Sequence, residues 1–328
     1  MKISYWLREV RRATIATAML IVGLNTWAQS YPTKPITMVV PFPPGGVADT
    51  VGRPVAEAMS RFMKQPIVID NKGGAGGGIG MAQVAKAKPD GYTILMSLSS
   101  LVVLPEADKI LQRPPMFQLN QLKPIARFTA DPTVLVVRSD SPWKTYGEFI
   151  AHVKANPGRV SFGSSGNYGT MHVPMEQLKI ATSTFMLHVP YTGAAPAVMS
   201  LLSGQIDAVA TGPASVKQQI TSGRLRALAH WGEGRLVSMP DVPSFKELGV
   251  PIQYSQWSGL FVPADTPTAV VDSLRQAAKF AAQDARAASA LNASGTSFMF
   301  QDASDFERFL QVDAKEMSAV VARIGKVD

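Results

Sequence analysis

Cysteine is absent from the 328 residues. That excludes a disulfide framework, thiolate metal sites and a cysteine nucleophile. Histidine is scarce too: His152, His172, His188 and His230 are the only four, and none falls in H-E-x-x-H or another metal-ligand spacing. Charged residues make up 17% of the chain against 46% hydrophobic, a globular balance rather than a disordered one. The formal net charge is +8, but no basic run is interleaved with aromatics, so nucleic-acid binding is not expected. Nucleotide motifs are missing as well. Gly73, Gly74, Gly76, Gly77, Gly78 and Gly80 never satisfy G-x-G-x-x-G, and there is no G-x-x-x-x-G-K-[ST]. Those glycines read better as backbone packed closely against a neighbouring loop. Serine chemistry lacks its spacing: Gly163-Ser164-Ser165-Gly166 is not G-x-S-x-G, and Ser141-Pro142-Trp143-Lys144 has none of the companions of S-x-x-K.

Long hydrophobic runs are confined to the N-terminus. Lys2, Arg8, Arg11 and Arg12 precede an apolar stretch from Ala13 to Leu24 that is short for a membrane span. Thr26-Trp27-Ala28 puts small residues where a signal peptidase reads them. Residues 1–28 are therefore predicted to be a cleaved signal peptide, with an uncleaved anchor as the alternative, and the mature chain to be soluble and exported. Its removal lowers the formal charge to about +5.

From Tyr31 onward strands alternate with helices, which predicts an α/β fold with largely parallel sheets. Ile36 to Val40 reads as a strand that ends in Pro41-Phe42-Pro43-Pro44-Gly45-Gly46. A helix face follows, spaced Val47, Val51, Val55, Met59, Phe62, with Pro54 awkward inside it. Ile67 to Ile69 and Tyr92 to Met96 are further strands, with a helix from Ile79 to Ala87 between them, and Ser97 to Ser100 a polar loop. Residues 101–123 read as irregular. Thr133 to Val137 is a β-branched run suited to cross into a second lobe. A helix over Tyr146 to Lys154 comes next. Three strand-loop-helix units then recur, with loops at Gly163 to Thr170, Pro190 to Pro196 and Thr211 to Pro213. Trp257 to Val262 returns the chain, and helices over Pro267 to Arg286 and Ser304 to Arg323 close it.

A strand, a tight loop and a helix start together present backbone N–H groups to an anion. Four such loops carry donors and hydroxyls, and no arginine lies within Pro41 to Thr50, Gly163 to Thr170 or Tyr191 to Pro196. That favours a small carboxylate held by dipoles and hydroxyls over bidentate arginine capture. Ligands of open α/β sheets sit beyond the carboxyl ends of strands, and loops from two lobes would close on one by hinge motion. Asp49 suits either a ligand's polar group or the helix N-terminus. An exported hydrolase using the cleft serines and His172, and a solute sensor for a membrane signalling partner, are the competing classes.

The chain resembles the extracytoplasmic solute receptors of tripartite tricarboxylate transporters, the Bug receptors. The likeness runs through Tyr31-Pro32, Val40-Pro41-Phe42, Gly45-Gly46 and Asp49, then Asn71-Lys72 with Gly73 to Gly80 and Pro89-Asp90-Gly91-Tyr92-Thr93. It continues in Val189-Pro190-Tyr191, Gly193, Pro196 and Gly204-Gln205-Ile206-Asp207, and ends at Trp257, Gly259 and Pro263. Two departures stand out: the loop reads Gly166-Asn167-Tyr168-Gly169-Thr170-Met171-His172 where many relatives have G-x-G-[ST]-x-x-H, and Thr211 replaces an acidic or amide residue of some members. The resemblance implies a two-lobed, Venus-flytrap fold with two hinge crossings, lobe 1 being residues 29–131 plus 257–328 and lobe 2 residues 132–256. It implies a monomeric, non-enzymatic periplasmic receptor, with no cofactor and no metal, that delivers a carboxylate solute to membrane transporter subunits. The ligand-binding residues would be Phe42, Pro43, Gly45, Gly46, Val47 and Asp49 from lobe 1. Lobe 2 would contribute Ser164, Ser165, Gly166, Asn167, Gly169, Thr170, Tyr191, Thr192, Gly193, Ala194, Ala195 and Thr211.

Overall fold

The structure, a computed structural model, describes residues 31–327; the expected signal peptide, residues 1–28, lies outside them. From β1 (Ile36–Val40) the chain runs through α1 (Val47–Met63), β2 (Ile67–Asn71), α2 (Gly78–Ala85), β3 (Thr93–Leu98) and α3 (Ser100–Ile110) to β4 (Leu122–Pro132). A second series follows: β5 (Val134–Arg138), α4 (Tyr146–Ala155), β6 (Ser161–Ser164), α5 (His172–Thr182), β7 (Leu187–Pro190), α6 (Ala194–Leu202), β8 (Ala208–Thr211), α7 (Lys217–Thr221) and β9 (Leu225–His230). The chain then returns as β10 (Ser255–Pro263), α8 (Thr268–Gln283), α9 (Ala285–Ser294), β11 (Gln301–Asp302) and α10 (Ala303–Ile324). The first sheet has the order β11-β4-β10-β3-β1-β2 and the second β7-β6-β8-β5-β9.

The expectation of largely parallel sheets is wrong. Three of the five pairings in the first sheet are antiparallel, as are two of the four in the second. The hinge crossings are the physical reason. A strand within a βαβ series runs toward the hinge, whereas a strand arriving from the other lobe starts at the hinge and runs away from it. β10 therefore enters the first sheet antiparallel to both β3 and β4. β5 does the same in the second, against β8 and β9. The crossing segments are stitched together: Trp231 N–H donates to Thr133 O at 2.9 Å, Tyr254 N–H to Trp231 O at 3.1 Å, and Thr133 N–H to Tyr254 O at 3.4 Å.

Helix α1 buries Val47, Val51, Val55 and Met59 along one face, as the spacing predicts. It starts at Val47 and runs through Pro54 without a break. Phe62 leaves the core and meets Phe280 of α8, with ring centroids 5.2 Å apart. The segment read as irregular contains α3, with Pro105 inside it and Leu101, Val102, Val103 and Leu104 all buried. Its first five residues are all buried, so they show no amphipathic period to detect. Helix α4 is capped as its sequence permits: Glu148 N–H donates to Thr145 Oγ1 at 3.2 Å, and Thr145 N–H to Glu148 Oε2 at 3.2 Å. Among the described residues no helix is long and apolar enough to cross a membrane.

One carboxylate near the hinge carries an expected result. Asp131, half-buried at the end of β4, accepts a hydrogen bond from Thr296 Oγ1. Burial pushes its carboxyl up to about 6, and the Thr296 bond offsets only part of that. A folded pKa above the unfolded one means its contribution is favourable at low pH and is lost as pH rises through about 6. Asp131→Asn keeps an acceptor for Thr296. It should raise the melting temperature by a few degrees at pH 7.5, roughly 1–3 kcal/mol, and have no such effect at pH 4. Equal shifts at both pH values would refute this reading.

Candidate functional site

In the first lobe, the loop between β1 and α1 is fixed from below. Gly45 N–H donates to Asp49 Oδ2 at 2.9 Å, Arg53 grips both carboxylate oxygens at 2.8 and 2.9 Å, and Asn71 Nδ2 donates to Asp49 Oδ1 at 3.0 Å and to Phe42 O at 2.9 Å. Burial alone would push the Asp49 carboxyl up, but the bonds from Arg53, Gly45 and Asn71, with the Arg53 charge, hold it below the usual range. All of its accepting capacity is spent on the protein, so Asp49 shapes the loop. The Phe42 ring lies under the glycine loop, where a Cβ on Gly77 would come 2.9 Å from its Cζ.

In the second lobe the donor loops follow the carboxyl ends of β6, β7 and β8. Ser165 and Thr211 are fully buried, and neither Ser165 Oγ nor Thr211 Oγ1 has a hydrogen-bond partner. Thr211 pairs with Val134 in the sheet, so both side chains share the face on which Val134 packs with α6. No side chain caps the N-terminus of α6, which begins after Gly193. Buried polar groups are ordinarily satisfied; two orphaned hydroxyls at the carboxyl ends of β6 and β8 are a place for an acceptor.

The two lobes touch. A Cβ on Gly193 would lie 2.5 Å from Pro43 Cδ, one on Gly45 3.7 Å from the Ala195 Cβ, and one on Gly46 3.7 Å from the Ala194 Cβ. A Cβ on Gly212 would meet Val47 Cγ2 at 3.0 Å. The glycine loop approaches the other lobe-2 loop: a Cβ on Gly76 would be 3.2 Å from Asn167 O and 3.5 Å from Gly169 Cα. The clamp is therefore closed, with glycines where the backbones meet.

The expected residues thus divide. Pro43, Gly45, Gly46 and Val47 are brought against Gly193, Ala194, Ala195 and the residue after Thr211. Gly166, Asn167 and Gly169 face the glycine loop. Thr170 Oγ1 accepts from Gln256 Nε2 at 2.8 Å. Tyr191 is half-buried against the lobe-2 core, and its N–H donates to Ser164 O at 3.0 Å; Thr192 is exposed. The Ser164 hydroxyl lies 2.6 Å from His188 Nε2. Two further residues belong here that the sequence did not single out. Gln256, also bonded through Oε1 to Gly212 N–H at 3.0 Å, ties two lobe-2 loops to β10. Ser100, at the start of α3, has a fully buried hydroxyl without a partner. A lone Gln in a strand gives no sequence signal, and Ser100, read as the end of a polar loop, is the first residue of a helix that the sequence did not reveal.

The hydrolase alternative finds no support in the geometry. His172 Nδ1 accepts the Tyr168 N–H at 3.0 Å and its Nε2 faces Glu176 at 3.3 Å, so no base stands on Ser165. Among the described residues no cluster of His, Asp or Glu could hold a metal ion.

Fold and site together define a two-lobed α/β binding protein whose strand-to-helix loops close face to face. A family model described as the tripartite tricarboxylate transporter family receptor, TctC, matches residues 51–326, and the chain belongs to that family. It is a periplasmic solute-binding protein of a tripartite transport system. The UPF0065 protein in the gbd 5' region of Cupriavidus necator is 32% identical, over 96% of this chain and 97% of that one. The solved structure of periplasmic binding protein BugD is 30% identical, with a TM-score of 0.86 over 90% of this chain and 99% of its own. MatC from Rhodopseudomonas palustris, solved with bound malate, is 27% identical, with a TM-score of 0.83 over 89% and 100%.

Proposed function

We propose that the solute carboxylate is held by Ser165 Oγ, Thr211 Oγ1 and the backbone N–H groups at the start of α6, with the Pro43–Val47 loop closing over it. The observation that carries this reading is the pair of fully buried, partnerless hydroxyls on one side of a closed clamp. Each would donate a charge-assisted bond to a carboxylate oxygen, the stronger kind of hydrogen bond. Malate bound in MatC, whose structure is similar to this one, makes hydroxy-dicarboxylates the first compounds to try.

In this reading residues 1–28 are removed on export. Residues 29–131 with 257–328 form lobe 1, and residues 132–256 form lobe 2. The receptor works as a monomer and hands its solute to membrane transporter subunits. Thermal melting and small-angle scattering with a panel of mono-, di- and tricarboxylates, aliphatic and aromatic, test it. A true ligand at a hundred times its Kd stabilises the protein by about 2.7 kcal/mol, a shift of several degrees, and lowers the radius of gyration. A panel that moves neither quantity rules the reading out.

A further inference from the structure

Behind the Ser164–Thr170 loop lies a largely buried cluster, with His188 half-buried at its edge, for which the clamp has no direct use. It sits on the α5 face of the second sheet. Nε2 of His188, on β7, is 2.6 Å from Ser164 Oγ, which in turn accepts the Gly166 N–H at 3.0 Å. His172, the first residue of α5, accepts the Tyr168 N–H on Nδ1 at 3.0 Å. Its Nε2 faces Glu176 at 3.3 Å, and Glu176 pairs with Lys179 at 2.7 Å. The two imidazoles lie with centroids 4.2 Å apart, tilted by 34°, and Phe162 stacks on His188 at 5.0 Å.

Tyr168 makes the arrangement more than packing. Its φ is 56°, a left-handed conformation that costs a bulky side chain on the order of 1–3 kcal/mol and persists only where the surroundings enforce it. Three contacts enforce it. The N–H is on His172, the ring is edge-on to the same imidazole at 5.8 Å, and the hydroxyl donates to Gly325 O at 2.6 Å while accepting from Val327 N–H at 3.2 Å. The last two belong to the tail after α10. Gly166, the other anchored amide, has φ 109° and is where the loop meets Gly76.

We propose that His188 and His172 are positioning residues for the ligand loop: His188 through Ser164 fixes the Gly166 amide, His172 fixes the Tyr168 amide, and the packed pair of rings holds Ser165 in line without touching solute. This rests on the reading that Ser165 grips the carboxylate. The chemistry requires neutral rings. An acceptor Nδ1 on His172 places its proton on Nε2, toward Glu176. Burial, the largest cause, pushes His188 down to about 3, which keeps it uncharged at ordinary pH.

The test is amide hydrogen exchange on the full mature protein, with 15N spectra of the imidazole rings. The wild type should show His172 as the Nε2–H tautomer. His188→Ala should speed exchange at Gly166 at least tenfold, and His172→Ala should do the same at Tyr168, with the β8 amides unchanged. His188→Gln, which restores a polar atom near Ser164, should recover much of the Gly166 protection. Affinity for the tightest carboxylate of the panel, malate included, should fall at least tenfold in both alanine variants. A proton on His172 Nδ1 in the wild type overturns the proposal even if no variant folds. So does unchanged exchange at both amides, or a uniform rise across the second sheet. Failure of the carboxylate reading would look different: no panel member would bind the wild type, while the exchange and tautomer results would stand.

Discussion

Replacing Gly193 by alanine should leave both lobes folded and stop them closing. Gly193 has φ 171°, extended backbone open to any residue, so alanine brings no strain of its own. The new methyl would lie 2.5 Å from Pro43 Cδ and 3.2 Å from Pro43 Cγ, both in the opposite lobe. The nearest obstacle to that methyl is thus the other jaw. Because the conflict exists only when the lobes meet, the unliganded protein should melt within about 2 °C of the wild type. Affinity for the carboxylate should drop by about a hundredfold or more, the size of effect expected when a site cannot complete its first contacts. Scattering separates this from the loss of a ligand contact. At saturating ligand the variant should keep the larger radius of gyration of the open form. A variant that still contracts to the wild-type radius would show that Pro43 yields and that the glycine is not required for closure.

The second large effect has opposite signs for stability and binding. Ser165→Ala and Thr211→Val each delete a fully buried hydroxyl that has no partner. An unsatisfied buried polar group costs about 1–3 kcal/mol, a cost that a bound water reduces. Each substitution should therefore leave the unliganded protein as stable as the wild type or raise its melting temperature by a few degrees. Each should also weaken carboxylate binding by about 10- to 100-fold, the loss of one charge-assisted hydrogen bond. Calorimetric titration and melting on the same samples check both signs. If either variant binds as tightly as the wild type, that hydroxyl is not a ligand donor. If either is strongly destabilised without ligand, the hydroxyl has a structural partner.

Much of the fold could be read because its signals are local. The four-residue spacing of Val47, Val51, Val55 and Met59 marks a helix face wherever that helix packs. The capping pair Thr145 and Glu148 lies three residues apart and closes on itself. Glycine at 45, 166 and 193 marks where a backbone must turn or be approached. What escaped reading was buried all round or depended on distant partners. The first half of helix α3, Ser100 to Leu104, is buried without a break and so offers no period to read. The mixed direction of the sheets follows from which strands cross the hinge, and strand direction leaves no trace in a run of valines and leucines.

The same division runs through the site. Asp49 could be picked out by its place in the loop, but only the structure spends its carboxylate on Gly45, Arg53 and Asn71. Ser164 and Ser165 are neighbours of the same residue type. The alternation of side chains at a strand end sends one toward His188 and leaves the other without a partner. By itself the sequence determined that donor loops follow strands, that they carry hydroxyls and glycines rather than arginines, and hence that a small carboxylate suits them. The tertiary structure decided which loops meet, which hydroxyls are spare and which polar residues, Gln256 among them, tie the loops to the returning strand. The physical reason is that loop chemistry is written in consecutive residues, whereas burial, strand direction and hydrogen-bond partnership belong to pairs of residues that only folding brings together.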